Sequence, residues 1–213
     1  SKFADWWIPI NAGTDCVFWQ CVTHVILNEF YHKRQVKYFV EYTKQYTDAP
    51  MLVVIKDGKP GKFMRAGTID KYKDEELGDW KFLVWDEDAK EPKMLMGSVG
   101  HRWQSKTGQW NLRLKDGKDD SDVNPQLSFL DDNDEILQAE FEDFGDNNKI
   151  NMRGVPIKNI ATSDGSKVQV TTVYDLLMAQ HGVGRGLEGD YPSSYEDSAK
   201  PFTPAYQEKF TQI

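Results

Sequence analysis

Two cysteines in 213 residues leave no disulfide framework and no iron–sulfur ligand set. Cys16 and Cys21 fall five positions apart in one predicted helix, too far for a disulfide and at no common metal spacing, so both read as buried small hydrophobes. Positive charge is also short. With 26 Lys and Arg against 34 Asp and Glu, the formal charge is −8, which argues against a nucleic-acid backbone or an anionic membrane as direct partner. No run nears the roughly 18 consecutive apolar residues of a membrane span, and the first residues lack the basic and apolar regions of a signal peptide. There is no Ser-His-Asp elbow and no P-loop: Gly182 to Gly189 is glycine-rich but lacks the lysine that contacts phosphates. None of the four histidines stands at a metal-ligand spacing from Cys, Asp or Glu. His24 reads as a hydrogen-bonded core or core-edge residue, and a cation–π stack of Arg102 on a tryptophan is expected near His101. The acidic clusters at 86–88, 119–122 and 131–135 lack the glycine and glutamate spacing of a calcium loop and read as solvated charge.

What is present is concentrated in one stretch, ADWWIPINAGTDCVFWQCVTHVILNEF, from Ala4 to Phe30. Trp6, Trp7, Ile8 and Ile10 are β-favouring residues in a short apolar run and predict a buried strand, pushed toward an edge by Pro9. Gly13 breaks it, Thr14 is a good N-cap, and Asp15 sits in the first turn of a helix whose apolar positions follow at helical spacing. A strand, glycine turn and helix N-terminus can present backbone N–H groups to a phosphate or nucleotide. The same residues can equally serve only to cap the helix.

Further on, Val36 to Tyr46 predicts a second amphipathic helix with a core-facing aromatic stripe, ended by Thr47 to Pro50. Met51 to Ile55 and Lys62 to Ala66 predict a hairpin, Thr68 to Leu77 a short helix, and Trp80 to Trp85 with Lys93 to Met96 a second strand pair. The stretch 97–148 is rich in Gly, Asp, Asn and Lys and predicts an irregular lobe with small strands. Val155 to Ala161 and Lys167 to Thr171 flank the turn Ser163-Asp164-Gly165-Ser166; Thr172 then caps a helix that Gly182 ends. Pro204 opens a final helix whose apolar side needs a partner on the first helix or elsewhere. The organisation expected is therefore 1–50 as strand, turn and helix of an α/β domain, 51–154 as a β-rich insertion, and 155–213 as a return to the α/β core.

The run WIPINAGTD with HVILNEF resembles the segment that molybdopterin oxidoreductases of the dimethyl sulfoxide reductase family place against their molybdopterin guanine dinucleotide. YFVEYTKQYTDAPMLV (38–53), GSVGHRWQSKTGQWNL (97–112), VTTVYDLL (170–177) and FTPAY (202–206) extend the likeness in the order shown by the nitrate reductase and nitrite oxidoreductase branch. The resemblance implies an α/β fragment of a multidomain catalytic subunit that interconverts nitrite and nitrate by oxygen-atom transfer at molybdenum held by two guanine dinucleotides. It further implies an iron–sulfur cluster in the parent subunit, an electron-transferring beta subunit, a gamma subunit as anchor, and a membrane-associated respiratory complex of undetermined sidedness. Gly13, Thr14 and Asp15 match positions that lie against the cofactor, and an ionised Asp15 carboxylate suits the adjacent N1–H and N2–H donors of guanine. Ala12 stands where the family usually has proline, which leaves the turn less rigid. The bulky Phe18-Trp19-Gln20-Cys21 leans toward nitrite oxidation, with respiratory nitrate reduction as the alternative.

The chain begins Ser1-Lys2-Phe3 and ends inside what reads as an unfinished helix, so an internal slice of a larger polypeptide is expected, with catalytic residues and metal ligands outside it. A rival of another class is a self-contained binding domain that displays its seven tryptophans and nine tyrosines to a ligand or partner. Against it, the tryptophans lie in apolar runs that core packing explains.

Overall fold

The computed structural model describes residues 3–97, 113–144 and 146–213. In chain order the elements are α1 (Asp15–Ile26), a π-helix (Leu27–Lys33), α2 (Lys37–Tyr46), β1 (Leu52–Lys56) and β2 (Lys59–Phe63). Three 3₁₀ turns lead to β3 (Leu83–Asp86) and β4 (Glu91–Met94), followed by β5 (Glu135–Asp143), β6 (Asp146–Ala161), β7 (Lys167–Thr172), α3 (Val173–Gln180) and α4 (Pro204–Thr211). Helices and sheets are mixed, as the α/β reading expects. Every strand pair among the described residues is antiparallel.

The main sheet runs β2-β1-β7-β6-β5, and β3 pairs with β4 in a separate ribbon. β1 enters its centre because Leu52 to Ile55 is a continuous apolar run that pairs Leu52–Ile55 against Gln169–Thr172. The β6–β7 hairpin closes as its turn residues demand: Gly165 takes φ +83°, and Asp164 accepts bonds from the Thr162 hydroxyl at 2.7 Å and the Ser166 N–H at 2.9 Å. Those bonds draw the exposed Asp164 carboxyl down to about 2. At the far end Glu140 N–H donates to the Gly58 carbonyl at 2.8 Å, so the β1–β2 turn touches β5 and the sheet curls.

Four apolar clusters of the described residues fill the space, the smallest being Met51, Val84 and Val123. Leu52, Tyr72, Leu83, Met94, Phe129 and Val170 join the sheet to the β3–β4 ribbon. Leu27, Leu127, Tyr174, Met178 and Val183 join the π-helix to α3. Ala139, Phe141, Val155 and Ala179 seat α3 on β5 and β6. The cap of α3 is as expected: the Thr172 hydroxyl accepts from Asp175 N–H at 3.0 Å, and Gly182 takes φ +74° just beyond the helix. Thr203 caps α4 in the same way, with Pro204 in its first turn, and α4 packs on α1.

Several expectations are corrected. No strand forms over Trp6 to Ile10; the two tryptophans are 81% and 72% exposed, and no described strand offers a ladder there. Trp19 and Trp80 are also exposed, so core packing does not account for these tryptophans. The α2 stripe Tyr38, Tyr42 and Tyr46 faces outward, ring beside ring, while Thr43 is the buried residue. Cys21 is buried but Cys16 is exposed. Beyond Ile26 the first helix runs on as the π-helix to Lys33. The helix expected over 68–77 is instead a succession of 3₁₀ turns. Asp86 is not solvated; it is buried against Lys93 at 2.8 Å. The stretch 97–148, expected to be irregular with small strands, holds the nine-residue β5 and the start of β6, which runs on to Ala161. The 98–112 block, with His101 and Arg102, lies outside the described residues.

Candidate functional site

The turn from Asn11 to Asp15 is built by local chemistry. Gly13 takes φ +82°, and a Cβ there would meet nothing within 4 Å, so glycine serves backbone shape rather than space. Thr14 stands at the N-cap position, but its hydroxyl donates to the Asn11 carbonyl at 2.7 Å and makes no cap bond to α1. It therefore closes the turn instead of the helix. Asp15 opens α1 with an exposed side chain that has no hydrogen bond or ion pair with any described residue. Asn11 ties the turn down from an unforeseen direction: its N–H reaches the Thr211 carbonyl at 3.3 Å, and its amide reaches the Phe210 carbonyl at 2.8 Å. The C-terminal end of α4 thus positions Gly13, Thr14 and Asp15, which adjacency in sequence already brings together. An open turn with an unpartnered carboxylate is suited to accept a fork of N–H donors.

A second concavity was not foreseen. A cleft of about 500 Å³ lies between α1, the π-helix and the 182–195 loop, lined among others by His24, Asn28, Lys33, Arg185, Ser193 and Tyr195. His24 is buried, and its Nδ1 lies 2.6 Å from the His181 carbonyl oxygen, so Nδ1 carries the proton and donates. Burial holds its pKa below the usual imidazole value. Tyr195 donates to Glu29 at 2.6 Å and accepts from the Asn28 amide at 2.7 Å; burial first, then the Glu29 bond, pushes its phenol up to about 12. Gly184 is required where it stands, since a Cβ would come within 2.9 Å of the Tyr191 ring.

Arg185 is the unusual group in this wall. Its side chain is 2% exposed, and Nη1 pairs with the buried Asp175 carboxylate at 2.7 Å and reaches the Ser128 hydroxyl at 3.1 Å. Asp175 is further held by the Ser128 hydroxyl at 2.7 Å and Phe129 N–H at 2.8 Å. Arg185 Nε and Nη2 are buried with no acceptor among the described residues. The signal in the sequence is the arginine between glycines in Gly-Val-Gly-Arg-Gly, a run that lacks the lysine of a P-loop. Among the described residues no group of three His, Cys, Asp or Glu gathers to hold a metal ion, and no helix is long and apolar enough to cross a membrane.

No family model matches the chain. Comparison with curated proteins finds relatives along its whole length: the nitrate reductase alpha chain of Bacillus subtilis (strain 168) at 38% identity over 218 residues, and the respiratory nitrate reductase 1 alpha chain of Escherichia coli (strain K12) at 36% over 228. The respiratory nitrate reductase alpha chain of Bradyrhizobium sp is 33% identical over 216 residues. All of this chain is covered in each alignment, and it spans 17%, 18% and 21% of the respective relatives' lengths. Along its whole length the chain is thus homologous to a segment of the nitrate reductase alpha chains, the branch of the molybdopterin oxidoreductases that its own motifs resemble.

Proposed function

We propose that the chain forms part of the catalytic subunit of a molybdenum oxidoreductase that interconverts nitrite and nitrate by oxygen-atom transfer. Similarity along the whole chain to alpha chains of nitrate reductases is the observation that carries this reading. Within it, Gly13, Thr14 and Asp15 lie against the guanine end of a molybdopterin guanine dinucleotide. The residues fit such a group: the turn is open at Gly13, and the Asp15 carboxylate has no partner among the described residues. Asp15 would accept the paired N–H donors of guanine at the N-terminus of α1. When bound, the cofactor supplies two-electron oxo transfer at its metal; the chain's share is to hold and orient the organic part.

An iron–sulfur cluster in the parent subunit, an electron-transferring beta subunit and a membrane-anchoring gamma subunit complete the proposal. The direction we favour is nitrite oxidation, on the bulky Phe18-Trp19-Gln20-Cys21 that follows the turn. Respiratory nitrate reduction is the second reading, favoured by the activity named for the relatives.

The test is Asp15→Ala in the full-length enzyme, followed by molybdenum and guanine nucleotide content per polypeptide. Losing a charge-assisted fork costs about 1.5–3 kcal/mol, so cofactor affinity should fall roughly tenfold to a hundredfold. Unchanged metal content and turnover would reduce Asp15 to a helix-turn residue.

A further inference from the structure

The guanidinium of Arg185 offers two edges for hydrogen bonding, and the structure uses only one side of it. Nη1 faces Asp175 and Ser128. Nε and Nη2 form the parallel pair of N–H groups that carboxylates and phosphates accept bidentately, and both are buried without a partner among the described residues. A buried charged donor left unbonded is costly, so such an edge is retained where something fills it.

The wall that Arg185 shares has a matching sign. Lys33 and Arg185 line the cleft and no carboxylate does, in a chain whose formal charge is −8. Glu29, the partner of Lys33 at 2.8 Å, is not among the lining residues. Nearby, His32 has its pKa lowered by burial and then by the charges of Arg185 and Lys33, which reports a positive local field. The loop backbone is shaped for close approach: Arg185 itself takes φ +53° and Gly186 φ +84°, with nothing within 4 Å of where a Gly186 Cβ would stand. A volume of about 500 Å³ suits an organic ligand rather than a lone ion.

We propose that this cleft binds an oxyanion-bearing ligand, whose phosphate or carboxylate group sits on the Nε/Nη2 edge of Arg185 with Lys33 as the second cation. The polar groups of Asn28, Ser193 and Tyr195 then face the remainder of the molecule. The site is separate from the turn at Gly13 to Asp15 and does not depend on the cofactor reading.

Isothermal titration of the intact protein with inorganic pyrophosphate and with citrate tests this, the preferred probe telling phosphate from carboxylate chemistry. Saturable binding of one probe is expected. Arg185→Lys, which keeps the charge beside Asp175 but loses the fork, should weaken it about tenfold or more. Lys33→Gln should weaken it severalfold, and Asp15→Ala should leave it unchanged. Lys33 lies outside the buried ion pair, so Lys33→Gln decides the matter if Arg185→Lys fails to fold. Absence of saturable binding by both probes at millimolar concentration, affinity unaffected by Lys33→Gln, or binding abolished by Asp15→Ala would each overturn the proposal.

Discussion

His24 shows at the scale of one residue how position fixes chemistry. It was legible in the sequence as a hydrogen-bonded residue at the core edge, and it is buried with Nδ1–H on the His181 carbonyl. Burial lowers its folded pKa below the ordinary imidazole value of 6.5, so in the window beneath 6.5 the unfolded chain binds a proton that the folded chain refuses. This contribution to stability is present above 6.5 and is lost as pH falls through the folded pKa. His32 and His181 are shifted the same way, both chiefly by burial, and add to the slope. Urea unfolding at a series of pH values should therefore show stability declining on mild acidification, with a shallower decline in His24→Gln. An identical slope in the variant would mean that His24 is protonated in the fold. Arg185 is the opposite case, because its neighbours Ser128 and Asp175 are distant in sequence and no local pattern announces their meeting.

At the scale of elements, legibility followed local signals. α3 was readable because both its ends carry their stop signs in side-chain chemistry, Thr172 before it and Gly182 after it. The Thr172 hydroxyl also donates to the Leu127 carbonyl at 2.6 Å, tying the cap to the loop below. Thr172→Ala should cost about 1–2 kcal/mol in denaturant unfolding, with Thr172→Ser recovering most of it. A loss confined to a few tenths would show that the cap is dispensable. β6 was half hidden because Gly154 and Pro156 interrupt its pattern. Both are explained only by its neighbours. A Cβ on residue 154 would meet the Glu188 carbonyl at 2.8 Å, and the ladder to β7 begins at Lys158, beyond the proline that could not donate to it. The predicted strand at Trp6 to Ile10 failed for a related reason: apolar residues of β propensity make no strand without a partner edge.

Across the whole molecule, the mixed architecture was readable from the alternation of periodicities, whereas the antiparallel order β2-β1-β7-β6-β5 was not, since it is set by which distant segments meet. The turn at Gly13 to Asp15 could be named from sequence, but not its anchoring to α4 some two hundred positions away.

One strand spans nearly the whole arrangement. β6 pairs with β5 from Asp146 to Ile157 and with β7 from Lys158 to Ala161, and β7 in turn pairs with β1. Neither ladder can be released without disturbing the strand that serves both. Amide protons along the two ladders should therefore trade for deuterium at one common slow rate, set by opening of the entire sheet, while those of the 163–166 turn exchange far sooner. Two distinct slow rates, one for each ladder, would show that β6 hinges at the junction between Ile157 and Lys158. A single rate would make it the shaft on which both halves of the sheet are mounted.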